Sequence, residues 1–369
     1  MTVSKIPSGM RYYIGPEARL RRWIEDETMA VFQGWSYEEI ITPSVDYYSL
    51  FEQGMGQSES RTAFRFTDND GHLLSLRPDV TSSIARVAAT MLARAPRPLR
   101  FCYASPVFRQ QLQSRAEWRR ENTQLGCELI GCNGNTSDLE ILLVAAEILA
   151  RVRLTDHSII TLSHAGIFDG LFSESGLDQD ARMEIQGLLN SMDQTGLKSF
   201  FDRNQISKTV AESILLLLHL SGKEEVLVHA RESITNSGSV AALDSLQKIW
   251  TVIQSLGLEN RFSLDLADVS GLQYYTGMIF KIYIAGAGYR VGRGGRYDGL
   301  TSKFGAAEPA VGFVLSLDAL TEVLSRHQLN ISTDSTQGSV VQREDLKSTF
   351  AEALTRRARQ DQIRIEVPE

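Results

Sequence analysis

Lysine is scarce in this sequence. Of its 38 cationic residues only eight are lysines, and none falls between Ile6 and Leu197. That excludes a phosphate-loop Gly-Lys pair and lysine Schiff-base chemistry from the N-terminal half. Cysteine is scarce too. Cys102, Cys127 and Cys132 are too few for a disulfide scaffold and match no zinc spacing. No metal site is expected, and reduced thiols in a reducing compartment are the default. Long apolar runs are missing. Nothing approaches the roughly 18 uninterrupted apolar residues of a membrane span, and residues 1–10 lack the apolar stretch of a signal peptide. A cytoplasmic protein without a membrane partner is expected. Positive charge is in deficit as well: 45 acidic against 38 basic residues leave a net charge of −7. That excludes a general nucleic-acid surface built on clustered Lys and Arg.

What is present is an ordinary globular composition, 43% hydrophobic and 22% charged. At 369 residues the chain is long enough for two or three domains. Pro16 and the helical spacing of Leu20, Trp23, Ile24 and Val31 predict a helix over 16–33, stopped by Gly34. A β-rich run covers 37–43. Residues 62–66 and 72–76 read as a hairpin around the turn Asp68-Asn69-Asp70-Gly71. Residues 78–81 open a helix running to about Ala95, with Thr81 or Ser82 as its cap. Strands at 100–109 and 125–131 bracket a polar, Arg-rich loop of the kind that is functional or disordered. Ser137-x-x-Glu140 matches a capping box opening a helix over 139–152, with a strand at 155–163 behind it. From about 166 to 260 the pattern is almost wholly helical. Strands resume at 262–266 and 278–284, followed by a Gly-rich turn over 286–299. A strand passing into a helix follows at 309–324, and a polar tail ends in one charged helix near 343–359. The expected domains are a core (1–165 and 261–328), a helical insertion (166–260) and the tail (329–369). Strands come in hairpins and not in βαβ alternation, so an α+β fold with an antiparallel sheet flanked by helices is predicted.

Several side-chain groups carry potential chemistry. The Gly-rich segment lacks a complete G-x-G-x-x-G and no helix follows it at once, so a tight turn is the plain reading. Arg293, Arg296, Tyr297 and Asp298 on it are placed to line a pocket. The cluster Arg94, Arg97, Arg100, Arg109, Arg115, Arg119 and Arg120 suits either bidentate phosphate binding, a protein contact or a solvated surface. Gln124 and Glu128 share a strand face. No nucleophile elbow is present.

Five strings, in order, resemble class II aminoacyl-tRNA synthetases in their histidyl form. Phe108-Arg109 with Gln124-Leu125-Gly126-Cys127-Glu128 resembles motif 2. Leu76-Arg77-Pro78-Asp79-Val80-Thr81 resembles the LRPE-x-T segment. Ser270-Gly271-Leu272-Gln273-Tyr274-Tyr275-Thr276 resembles RGLDYYT. Gly294-Gly295-Arg296-Tyr297-Asp298-Gly299-Leu300 matches GGRYDGL, and residues 312–320 resemble a degraded motif 3. The resemblance implies a class II synthetase-like fold over roughly 6–324. It also implies an amino-acid pocket: Asp79, Thr81 and Gln124 receive the α-amino group, and Glu128 and Tyr275, with Tyr274 beside them, read an imidazole.

The departures from the pattern are Ser270 and Ala319 where the synthetases carry arginines, Gln111 for a glutamate, and Gln273 for an aspartate. Each lost donor near the reacting phosphate removes on the order of 10²–10³ in rate. Ser270 also leaves a ligand carboxylate without its strongest partner, which implies weak histidine binding. Only 45 residues follow Leu324, too few for the anticodon-binding domain of the synthetases, so no tRNA partner is expected.

A kept pocket beside a dismantled activation site resembles the regulatory subunits of short-form ATP phosphoribosyltransferase. That resemblance implies a non-catalytic chain without cofactor. It would form a dimer and join the short catalytic subunit in a hetero-oligomer, serving the first step of histidine biosynthesis with L-histidine as feedback effector. Arg109, Arg115 and Arg119 are then phosphate or partner contacts. The effector site is the synthetase-like pocket or the subunit interface. The alternative is a truncated histidyl-tRNA synthetase paralogue that activates histidine, which the retained Arg109 favours. Histidine-dependent pyrophosphate exchange separates the two: none is expected, and measurable exchange establishes the paralogue.

Overall fold

The structure, a computed structural model, describes residues 5–110, 119–269, 274–326, 339–342 and 345–366. Helix α1 (Pro16–Gly34) begins on a proline and buries Leu20, Ile24, Val31 and Phe32. After β1 (Glu38–Glu39) the chain forms β2 (Val45–Tyr47), α2 (Tyr48–Met55), α3 (Gln57–Ser60), β3 (Arg65–Thr67) and β4 (Leu73–Leu76). The last two strands are the expected hairpin. Asp68 Oδ1 closes its turn by accepting from the N–H groups of Asp70 and His72, at 3.0 and 2.8 Å. With β2 they make a three-stranded sheet in the order β2-β4-β3. Helix α4 (Thr81–Ala89) is one turn or more shorter than expected. It is followed by β5 (Leu99–Phe108), β6 (Glu121–Ile130), α5 (Asn135–Arg151) and β7 (Ser158–His164).

The helical stretch contains α6 (Ala165–Glu174), α7 (Gln179–Asn190), α8 (Gln194–Arg203), α9 (Lys208–Leu217), α10 (Glu225–Ser233) and α11 (Ser237–Ser255), with the short β8 (Ser221–Gly222) between α9 and α10. Then come β9 (Phe262–Asp265), β10 (Met278–Ile284), β11 (Gly292–Arg296), β12 (Ala310–Ser316) and α12 (Leu317–Arg326). Strand β11 corrects one expectation: the Gly-rich segment is not merely a turn. Gly292, Gly294 and Gly295 sit inside a ladder, pairing with β10 and β12.

The main sheet has nine strands in the order β1-β5-β6-β12-β11-β10-β7-β9-β8. Its ladders are antiparallel, as expected, except at two strand pairs that make it mixed. β1 runs parallel to β5, and β7 parallel to β9. Parallel neighbours need long crossovers. The second crossover is the whole helical stretch, which therefore leaves and re-enters the sheet on adjacent strands. One sheet face packs on α1, α5 and α11 in a continuous apolar cluster that includes Phe32, Phe168, Phe172, Phe200, Trp250 and Phe313. The other face carries α4 and a smaller cluster of Val80, Ile84, Tyr103, Tyr297 and Leu300. Among the described residues no helix is long and apolar enough to cross a membrane.

Two further expectations change. Ser137 does not cap α5; Gly134 occupies that position. The Ser137 hydroxyl donates to Gly134 O at 2.8 Å and accepts from Arg296 Nη2 at 2.6 Å. The tail is more than a single helix. β13 (Ser339–Val341) and β14 (Ile363–Ile365) pair in parallel around α13 (Leu346–Ala358). Three-residue β-branched runs are too short to announce themselves by periodicity.

Arg296 fastens the sheet to α5. Its guanidinium donates to Asp138 Oδ1 at 3.0 and 2.7 Å and to Gly134 O at 3.1 Å, and both side chains of the pair are buried. Removing one partner of a buried pair strands the other charge. Arg296→Ala is therefore expected to cost about 3–5 kcal/mol in urea unfolding, and a loss below 1 kcal/mol would show that the pair is not a fastening.

Candidate functional site

The site lies where β6, β11 and β12 meet α4. Strand alternation puts Gln124, Gly126 and Glu128 on one face of β6, and Leu125, Cys127 and Leu129 on the other, in the core. Register carries that face across the sheet: Tyr103 lies opposite Gly126, Gly126 opposite Val314, and Val314 opposite Arg293. In the next row Glu128 faces Gly312, and Gly312 faces Gly295. The resulting cavity of about 280 Å³ is lined by Glu59, Asp79, Gln124, Tyr275, Arg290 and Arg293, among others.

Glu128 is its deepest group, 1% exposed. Oε1 accepts from Thr81 Oγ1 at 2.7 Å and from the Tyr103 hydroxyl at 3.2 Å, and Oε2 accepts from the Tyr297 hydroxyl. Burial pushes its pKa up to about 8; the three hydroxyls pull it down, and the Asp79 charge adds to the rise. Burial likewise raises both phenols far above their ordinary range, so they act as neutral donors. Two glycines make the space. A Cβ at Gly312 would overlap Glu128 Oε2, and one at Gly126 would come within 2.6 Å of the Tyr103 hydroxyl.

Asp79 is oriented by the start of α4. Its Oδ2 accepts from the Ser82 N–H and hydroxyl, both at 2.9 Å, while Oδ1 receives no hydrogen bond from a described residue. Gln124 is 8% exposed and its Oε1 finds no donor among the described residues. A buried acceptor without a donor is rare and calls for a ligand or an ion. Tyr274 stacks on Tyr297 at 5.3 Å and meets Tyr275 edge-on at 5.0 Å, forming an aromatic wall.

All six residues expected to hold a ligand, Asp79, Thr81, Gln124, Glu128, Tyr274 and Tyr275, line this cavity. Thr81, however, is spent on Glu128. Of the Gly-rich set, Arg293 and Tyr297 line the cavity, whereas Arg296 turns to the opposite face. Tyr103 and Gly312 escaped sequence reasoning; only the β5–β6 and β6–β12 registers reveal them. A second cavity, of about 90 Å³, adjoins the first and shares Gln124, Arg290 and Arg293 with it. It is lined by Arg109, Arg119 and Arg120 as well. Arg109 Nε donates to Pro78 O at 3.1 Å, and Arg119 Nη2 pairs with Glu322 at 3.0 Å. Ala319 is buried in α12, its N–H donating to Ser316 Oγ. Arg115, Gln111, Ser270 and Gln273 lie outside the described residues.

This sheet and this site define a class II synthetase-like protein of the histidyl type. The family model described as histidyl-tRNA synthetase matches residues 9–320. The fold of a histidyl-tRNA synthetase from Nostoc superposes with a TM-score of 0.79 at 20% identity, covering 100% of this chain and 87% of that one. The Desulfitobacterium hafniense ATP phosphoribosyltransferase regulatory subunit is 33% identical over 363 residues, 98% of this chain and 91% of its own length. That of Moorella thermoacetica is 34% identical over 86% of this chain and 81% of its own. A Bacillus halodurans structure described as an ATP phosphoribosyltransferase regulatory subunit/histidyl-tRNA synthetase gives a TM-score of 0.87 at 27% identity, covering 99% and 93% of the two chains. The chain belongs to the family of ATP phosphoribosyltransferase regulatory subunits.

Burial gives Glu128 a folded pKa of about 8 against an ordinary 4.5. The folded chain thus keeps a proton that the unfolded chain releases in this interval. The associated stability is complete below pH 4.5 and is lost as pH rises through 8. Melting temperatures of the unliganded protein should fall between pH 5 and 8 relative to those of Glu128→Gln. Parallel pH profiles for the two proteins would refute the buried-acid assignment.

Proposed function

We propose that this chain is the non-catalytic regulatory subunit of an ATP phosphoribosyltransferase, acting in histidine biosynthesis and conferring feedback regulation by L-histidine bound in the 280 Å³ cavity. Family membership supports the partner, a catalytic ATP phosphoribosyltransferase subunit. The orphaned Gln124 Oε1 carries the ligand reading. Together with the open Asp79 Oδ1 it offers acceptors for an ammonium group, while Glu128 and the tyrosine wall suit a flat ring with N–H donors. Serine at 270 and alanine at 319, where the synthetases carry arginines, support a chain that does not activate the amino acid.

In this reading the protein self-associates as a dimer and does not use tRNA. Arg109, Arg115 and Arg119 are phosphate or partner contacts. Histidine and the catalytic partner select coupled states of the chain, each shifting the other's affinity by the same factor, typically 1–3 kcal/mol.

The test is reconstitution with a short-form catalytic subunit. The expected result is activation by this chain and inhibition by histidine. In the double variant Asp79→Ala/Glu128→Ala, activation should persist while histidine sensitivity drops at least tenfold. Failure of the wild-type chain to activate refutes the subunit assignment. Retained feedback in the double variant moves the effector site to the subunit interface.

A further inference from the structure

Arg293 lines the cavity just before the Gly294–Leu300 string and has no ligand role in the synthetase pattern. It stands on β11 in the row between Gln124 and Glu128, across β12 from Gly126. Two strand spacings, about 10 Å, separate it from Gly126. A long arginine and a ligand together span that gap. Its side chain is half-buried, yet its guanidinium makes no hydrogen bond or ion pair with a described residue. The fields of Tyr275, Glu59 and Asp79 outweigh burial and hold its pKa above the ordinary value, so it stays charged.

A guanidinium held charged here, without a hydrogen-bond partner among the described residues, keeps its donors for a ligand. Its neighbours on the cavity wall explain what it awaits. Asp79, Gln124 and Glu128 offer acceptors, which suit ammonium and imidazole N–H groups. None of them carries a positive charge to set against an anion. Arg293 supplies the missing complement, with a planar fork matched to a carboxylate.

Resting on the histidine-pocket reading, we propose that Arg293 anchors the α-carboxylate of the bound amino acid. The ammonium then lies toward Gln124 and Asp79, and the ring toward Glu128. The role that serine at position 270 leaves open is thereby filled from β11. Weak binding, the expectation drawn from Ser270 alone, gives way to binding that depends on Arg293.

The experiment is calorimetry of the full chain with two probes, L-histidine and L-histidinol, the second of which lacks the carboxylate. Wild type should bind histidine more tightly than histidinol. Arg293→Gln should weaken histidine by about ten- to a hundredfold, the worth of a charge-assisted hydrogen bond, and leave histidinol within about twofold. Arg293→Lys should recover part of the histidine affinity. Its fold is checked by an unchanged melting temperature, and it guards against misreading a misfolded Gln variant. If Arg293→Gln binds both probes as wild type does, the anchor is refuted and the pocket reading stands. An equal loss of both probes also refutes the anchor, because the residue then acts on the cavity as a whole. If wild type binds neither probe, the pocket reading fails and the anchor with it.

Discussion

A carboxyl group sealed in the middle of a β-sheet is the constraint around which this molecule is arranged. Glu128 cannot lie there without donors, and three hydroxyls from three separate elements provide them: Thr81 at the start of α4, Tyr103 on β5 and Tyr297 just past β11. Each of those elements must therefore arrive in register. The β5–β6 hairpin brings Tyr103, the β6–β12–β11 ladder brings Tyr297, and the small three-stranded sheet delivers the segment leading into α4. Arg77 secures that segment, buried with its guanidinium on Thr42 O at 2.6 Å and Pro106 O at 2.7 Å. Polar networks of this kind strengthen a unique packing when every member is satisfied. Here the exceptions, Gln124 Oε1 and the Arg293 guanidinium, fall on the same cavity wall, where a ligand can reach both.

The two sheet faces divide the labour. Helices on one face build the large apolar core, and Arg296 stitches that core to β11 through Asp138. The other face is polar at its centre and apolar at its margin. Alternation along β11 sends Arg293 to one side and Arg296 to the other, so residues three apart in a single motif have unrelated duties. The Arg296 pair is mechanical, with several partners and little exposure. Arg293 is chemical, charged and without a hydrogen-bond partner among the described residues.

Much of this was legible in the residues. Long amphipathic helices such as α1, and strands such as β10, were bounded closely because their periodicity is strong and their ends carry proline or glycine. The candidate ligand residues were legible through motif strings, since each string preserves side-chain type at fixed spacing. Register was not legible. Tyr103 and Gly312 belong to the site only because two ladders place them beside Glu128, and no local pattern records which residues face each other across strands. The mixed sheet was missed for the same reason. Hairpin patterns show only neighbours in sequence, whereas β7 and β9 become neighbours across six helices. Ser137 illustrates competition: its sequence context fits a cap, but the buried Arg296 offers its hydroxyl a charged partner.

The absent side chain at Gly312 reaches beyond packing. Any Cβ there would fall on the Glu128 carboxylate, so the two positions are not independent mutational targets. The glycine can change only after the glutamate has shortened or gone, whereas the glutamate can change first. The route away from this site is thus directional: a lineage that keeps its buried acid is held to glycine on β12, and one that loses the acid is free to fill the space and close the cavity behind it.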